Sequence, residues 1–189
     1  MSTEPPTLRR LVIHGCSGSG KSALARRLSL ALRLPHIELD SLFHQPGWVP
    51  TPEAEFAEEV TRQLDLAERE QGGWIVDGNY DSTLHNLVRD RADTVIWFDL
   101  PRHVVMRRVV TRTLRRALFR EVLWNGNRER WLNILRWDPN VSIIRWAWTR
   151  HGVYAKRLRV EAIDHGPQQR WIRLATQRDV DRVLSDFSC

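Results

Sequence analysis

Lysine is almost missing from this chain. Of its 29 cationic residues only Lys21 and Lys156 are lysine, and the rest are arginine. Cysteine is nearly as scarce: Cys16 and Cys189 stand alone, which excludes a disulfide framework and fits a reduced, cytoplasmic setting. No apolar run approaches the roughly 20 residues that span a bilayer, and the opening MSTEPPTLRR has no apolar core of a signal peptide. No internal repeat, low-complexity tract or long linker interrupts the sequence, so 1–189 reads as a single domain with no membrane partner. Hydrophobic residues make up 42%, enough to exclude a disordered composition.

Positive charge is abundant and local. The net charge is +6, and residues 102–159 hold fifteen Arg and Lys against Glu121, Glu129 and Asp138. Such a concentration suits polyanionic partners, whether nucleotide phosphates or nucleic acid. A solvated arginine-rich face is the plainer alternative. Trp131, Trp137, Trp146 and Trp148 fall in the same region. They suit a helical subdomain that packs its own aromatics while arginines reach outward. Stacking on single-stranded nucleic acid is the other reading.

Strands and helices alternate. RRLVIHG, HIELD, GGWIVDG, DTVIWFDLP and QRWIRLAT read as five strands, the second ending at Asp40 and the third at Asp77. Helices are expected from Ser22 to Leu32, after a Thr51 cap with Pro52 at the first position, from Arg102 to Leu118, over about 141–160, and over QRDVDRVLSDF. Phe56, Val60, Leu64 and Ala67 recur at helical spacing as a buried face. Trp74 and Trp97 are expected in the core. Nearly continuous apolar strands separated by helices predict an α/β fold with a five-stranded parallel sheet covered on both faces. Ligands of such sheets bind at the carboxyl ends of the strands. Gly15, Asp40, Asp77 and Asp99 are therefore expected along one edge.

The scarce lysine sits in Gly15-Cys16-Ser17-Gly18-Ser19-Gly20-Lys21-Ser22. This matches G-x-x-x-x-G-K-[ST] between an apolar strand and an amphipathic helix. Glycines let backbone N–H groups converge on an anion, and the helix N-terminus adds partial positive charge. Lys21 can reach the β- and γ-phosphates as a compact cation, and Ser22 offers a hydroxyl to Mg²⁺. An arginine, with its rigid planar fork, would suit the cradle poorly. The motif predicts Mg-ATP binding.

Three further segments, GGWIVDGNY, DTVIWFDLPRHVVMRRVVTR and RLATQRDVDRVLSDF, resemble the adenylate kinase-like family of small nucleoside and nucleotide kinases. LDSLFHQPGW, WIVDGNYDSTL and ADTVIWFDLPR are most similar to its topology modulation branch. The resemblance covers most of 9–119 and again 170–187, and with the glycine-rich motif it implies a three-layer P-loop NTPase fold in which 112–165 forms a basic, Trp-rich helical lid insertion. It implies that Asp77 holds Mg²⁺ beside Ser22, the alternative being a strand-end turn acid. It implies that Arg108 and Arg112, four apart on one helical face, clamp the nucleotide and stabilise charge on the transferring phosphoryl group. Arg116 continues that face, as a phosphate contact or a solvated charge. Ala175 to Gln177, with Thr176 at the centre, would pass adenine.

The acceptor is less determined. Monophosphate kinases of this family carry arginines soon after the strand-two acid and after Asp-Gly; DSLFHQPGW and DGNYDSTLH have none there. An acceptor hydroxyl needs a base, and Asp40 is placed to take its proton. Phe43, His44, Trp48 and Tyr80 could enclose a ring or pack beneath a loop. Asn79 could bond the acceptor or shape a turn. The expectation is an ATP-dependent phosphotransferase acting on a nucleoside or nucleotide, as a monomer or homodimer. The rival is an ATP-binding, nucleic-acid-binding regulatory protein of DNA topology.

Overall fold

Apolar alternation along each strand decides which face of the sheet it serves. The computed structural model describes residues 9–119, 121–128, 142–166 and 169–187. In chain order the elements are β1 (Arg10–His14), α1 (Lys21–Leu32), β2 (His36–Glu38), α2 (Leu39–Phe43) and the short strands β3 (His44–Gln45) and β4 (Val49–Pro50). There follow α3 (Glu53–Gln71), β5 (Trp74–Asp77), α4 (Leu87–Arg91), β6 (Thr94–Phe98), α5 (Arg102–Leu118), α6 (Ile143–Asp164), β7 (Arg170–Leu174) and α7 (Gln177–Asp186). Five strands form one parallel sheet in the order β2-β5-β1-β6-β7. This is the α/β architecture expected from the alternation.

Leu11 and Ile13 of β1, Ile75 of β5 and Ile96 of β6 face one way, onto Leu24 and Leu28 of α1, Val105 and Val109 of α5, and Val180 and Leu184 of α7. Val12, Trp74, Val76 and Val95 face the other, onto Phe56, Val60 and Leu64 of α3 and Val88 of α4. The period of two along each strand thus supplies two cores, one per face. Trp74 and Trp97 are buried, as expected, and Trp74 satisfies its indole N–H on Glu68 Oε1 at 2.8 Å.

The chain leaves β1 toward β2 on one side and returns to β6 on the other. The end of β1 therefore lies at the point where strand order reverses, the position that leaves a crevice above the sheet. β1 runs there into residues 15–20, and β5 delivers Asp77 beside them.

Two local expectations are corrected. Strand two stops at Glu38, and Asp40 stands in the first turn of α2. The Ser41 hydroxyl bonds the Glu38 carbonyl at 2.6 Å while Leu39 turns into the core, and this winds the chain out of the sheet. Thr51 does not cap α3. Pro52 is the N-cap residue, and the Thr51 hydroxyl bonds the carbonyls of Leu42 and Phe43 at 2.7 and 3.1 Å, closing the β3–β4 hairpin. Helix α6 runs to Asp164, past the expected end, and packs along α5. Trp131 and Trp137 of the expected lid, and Cys189, lie outside the described residues. Among the described residues no helix is long and apolar enough to cross a membrane.

Candidate active site

The loop between β1 and α1 has the shape its glycines require. Gly18 has φ +81, and a Cβ there would run into Val109 of α5. Gly20, at φ +111, is the N-cap of α1, so the helix opens with its amides directed into the loop. The Ser19 hydroxyl is buried in the loop with no hydrogen-bond partner among the described residues. A tight backbone cradle, an unpartnered buried hydroxyl and a helix N-terminus fit a phosphate chain.

Side chains from α1 and α5 close on this loop. Lys21 Nζ reaches the Cys16 carbonyl at 3.5 Å. From α5, Arg108 Nη1 donates to the Ser19 carbonyl at 2.9 Å and Arg112 Nη2 to Ser17 Oγ at 2.9 Å. The four-residue spacing on α5 thus places both guanidinium groups over the loop. Arg108 also donates to Gln177 Oε1 at 3.1 Å, linking the loop to the start of α7. Arg116 stands one turn further on and approaches Glu121 at 3.7 Å.

Ser22 Oγ donates to Asp77 Oδ2 at 2.6 Å. The second Asp77 oxygen accepts from His36 Nε2 at 2.7 Å, a partner not anticipated from sequence. Burial pushes the Asp77 carboxyl up, but the hydrogen bonds from His36 and Ser22, with the Lys21 charge, outweigh it and hold the group below its ordinary value. The adjacent hydroxyl and carboxylate are hard oxygen donors, the set Mg²⁺ takes. Among the described residues no cluster of three or more His, Cys, Asp or Glu forms a cage. A cation here would therefore share a few protein oxygens with phosphate oxygens, as Mg²⁺ commonly does.

Cys16 is buried, and its thiol donates to the Ala147 carbonyl of α6 at 3.6 Å. Burial pushes the thiol up more strongly than Lys21 and Arg112 draw it down. Burial and the raised pKa both disfavour the thiolate form of Cys16. Asn79 spends both ends of its amide on Gly15, accepting from the N–H at 3.2 Å and donating to the carbonyl at 2.7 Å. It pins the entry to the loop. Thr176 caps α7: its hydroxyl accepts from the Asp179 N–H, and its own N–H donates to Asp179 Oδ2 at 2.8 Å.

A second group of side chains, from α2 and the β3–β4 hairpin to Tyr80, is aromatic. Tyr80 donates its hydroxyl to Asp40 Oδ1 at 2.7 Å, and burial beside that carboxylate pushes the phenol far up. Phe43 and Phe56 pack against the Tyr80 ring at 4.8 and 5.2 Å. His44 lies against Trp48 and Trp124. Burial lowers His44 more than Asp40 raises it, favouring a neutral ring. The segment 121–128 clasps the β3–β4 hairpin. Asn125 donates to the His44 carbonyl at 2.7 Å, Asn127 donates to the Gln45 carbonyl at 3.0 Å, and Asn127 accepts from the Trp48 N–H at 3.0 Å. Sequence reasoning missed both asparagines; no local signal ties residue 127 to residue 45.

Several basic residues of 102–159 are engaged inside the chain. Asp99, buried just past β6, accepts from Arg159 at 2.9 Å and Arg173 at 2.8 Å. Arg157 pairs with buried Asp81, which faces His14 at 3.6 Å. Trp146 packs on Tyr154 at 5.7 Å, and Trp148, 54% exposed, lies under Arg102 at 5.0 Å.

No protein-family model matches the chain, and no curated protein matches it with significance. Solved structures do. An unliganded sugar kinase from Janibacter sp. HTCC2649 is 16% identical, with TM-score 0.50 over 94% of this chain and 92% of that one. A gluconokinase from Sinorhizobium meliloti 1021 is 15% identical, with TM-score 0.51 over 96% and 94%. These likenesses establish the fold: a five-stranded parallel sheet flanked by helices, as in those two kinases.

Proposed function

We propose that this chain is an ATP-dependent small-molecule kinase of the adenylate kinase-like type. The observation that carries the reading is the convergence of Lys21, Arg108 and Arg112 on a glycine cradle that also holds the Ser22–Asp77 pair. The amides of Gly15 to Ser22, Cys16 and Ser17 among them, and the Lys21 ammonium would hold the triphosphate. Arg108 and Arg112 would bear on the oxygens that gain charge as the phosphoryl group moves. Ser22 and Asp77 would hold Mg²⁺, which when bound would neutralise part of the phosphate charge.

Across the cleft, Tyr80 occupies one oxygen of Asp40 and leaves the other for an acceptor hydroxyl. Asp40 takes the hydroxyl proton as the acceptor oxygen forms its bond to the γ-phosphorus and the bond to the leaving diphosphate breaks. Phe43, Trp48 and Tyr80 give this side an aromatic lining suited to a ring-bearing acceptor, which we take to be a nucleoside or nucleotide. The neighbours named as a sugar kinase and a gluconokinase are in keeping with a hydroxyl acceptor. Asn79 serves in this reading by fixing Gly15, and Thr176 by setting the start of α7 beside the adenine side. Arg108 and Arg112 face the phosphate loop, and Arg157 and Arg159 pair with buried carboxylates. We therefore place the kinase ahead of a nucleic-acid-binding regulator.

The test is a screen of nucleosides, nucleoside monophosphates and sugars with Mg-ATP, read by phosphorus NMR for a new phosphoester. One or more acceptors are expected to turn over with wild type and not with Lys21→Ala. No product from any acceptor would overturn the proposal.

A further inference from the structure

His36 takes no part in the transfer step, yet it makes one of the shortest contacts in the cleft. In the β2–β5 pairing His36 lies opposite Ile75, and Glu38 lies opposite Asp77. His36 and Asp77 are thus diagonal neighbours on one sheet face, within reach for a long side chain. The imidazole is 13% exposed and the carboxylate 3%. An ionised carboxylate only accepts, so Nε2 must carry the proton, and the neutral tautomer is sufficient. Ser22 holds Oδ2 at 2.6 Å and His36 holds Oδ1 at 2.7 Å. A carboxylate fixed at both oxygens cannot turn about its terminal torsion, which is otherwise broad.

We propose that His36 is a positioning residue that orients the Asp77 carboxylate for the nucleotide-bound divalent cation. The inference rests on the assignment of Ser22 and Asp77 to Mg²⁺. Groups that hydrogen-bond metal-binding carboxylates from behind commonly change metal affinity about 10–100-fold when removed. His36 is placed for that role from a strand that carries no part of the phosphate loop.

The side chain that replaces it separates positioning from bulk. Glutamine carries an amide N–H at about the reach of Nε2; leucine fills space without a donor; asparagine keeps an amide but falls short. The full chain is titrated with the non-hydrolysable analogue adenylyl imidodiphosphate, with and without Mg²⁺. Intrinsic tryptophan fluorescence follows binding, and thermal unfolding of each variant is recorded in parallel. His36→Leu and His36→Asn are expected to lower the tightening that Mg²⁺ confers by about tenfold or more. Binding of the metal-free analogue should stay unchanged, and His36→Gln should stay near wild type. Should His36→Leu fail to fold, His36→Asn carries the same expectation. A lowered melting temperature with unchanged Mg²⁺ dependence would show His36 to be structural only and overturn the inference. Loss of the Mg²⁺ effect in His36→Gln equal to that in His36→Leu would also overturn it. A wild-type chain whose analogue binding is indifferent to Mg²⁺ would instead remove the metal assignment beneath it.

Discussion

The two sides of the proposed active site, a donor wall at the phosphate loop and an acceptor wall around Asp40, are held by different forces. On the donor wall backbone conformation does most of the holding: Gly15, Gly18 and Gly20 take positive φ, α1 starts directly after them, and the Asn79 side chain adds a clamp on the main-chain groups of Gly15. On the acceptor wall side chains do it. The β3–β4 hairpin is clasped by Asn125 and Asn127, about eighty residues away in the chain, and Asp40 is steadied by the Tyr80 hydroxyl. A backbone cradle tolerates most side-chain changes and fails at glycine. A side-chain clasp has no equivalent reserve, and one deletion leaves hairpin carbonyl and N–H groups without their partners.

The largest effect is expected on the donor wall. Lys21→Ala, and separately Arg108→Ala, should lower kcat by roughly 10³-fold, because each removes charge that the proposed mechanism sets against the transferring group. Circular dichroism should be unchanged, and acceptor KM should hold within the error of steady-state kinetics. A change in acceptor KM alone would erase the distinction between the walls. Gly18→Ala attacks the same wall through its geometry. It should cost about 1–3 kcal/mol of stability by overpacking against Val109, and denaturant titration measures this directly. Adding Val109→Ala should recover part of the loss if the clash is the cause.

On the acceptor wall, Tyr80→Phe deletes only the donor to Asp40. A hydrogen bond to a charged group is worth about 1.5–3 kcal/mol, so kcat/KM should fall tenfold or more. Metal-free and metal-bound nucleotide affinity should stay put. Asn127 is buried, and Asn127→Ala leaves the Gln45 carbonyl and the Trp48 N–H without their partners. The expected cost is about 1–3 kcal/mol. Limited proteolysis should then cut within 121–128 sooner than in wild type, while the donor wall keeps its analogue affinity.

The same contrast explains how much the sequence alone reveals. Residues 15–22 are contiguous and their spacing carries the mechanism, so the cradle, the parallel sheet and the α3 face at Phe56, Val60, Leu64 and Ala67 are all legible. Arg108 and Arg112 are legible for a related reason: helical spacing fixes their common side. What stays hidden depends on register or on distant segments. His36 meets Asp77 only because β2 aligns with β5 as it does, and nothing within either strand states that alignment. Asp81 with Arg157, and Asn127 with Gln45, are joined by folding alone. HIELD alternates well enough to suggest a strand reaching Asp40; the turn into α2 is decided by Leu39 entering the core and by the Ser41 hydroxyl.

The smallest effect is a matter of pH and concerns Asp77, where the donor wall borrows a side chain from β2. Burial alone would raise this carboxyl, and the bonds from His36 and Ser22 together with the Lys21 charge reverse that. Its pKa in the folded chain therefore lies below its unfolded value. The unfolded chain takes up the proton first as pH falls, so the contribution is complete above the unfolded pKa and is lost through the folded one. Urea titrations between about pH 5 and pH 3 should show wild type losing stability more steeply than Asp77→Asn, whose amide cannot titrate. The slopes, not the absolute stabilities, carry the test, because asparagine also alters the bonds to His36 and Ser22. Equal slopes would mean that the carboxylate gains nothing from its two partners, and the donor wall would then rest on backbone alone.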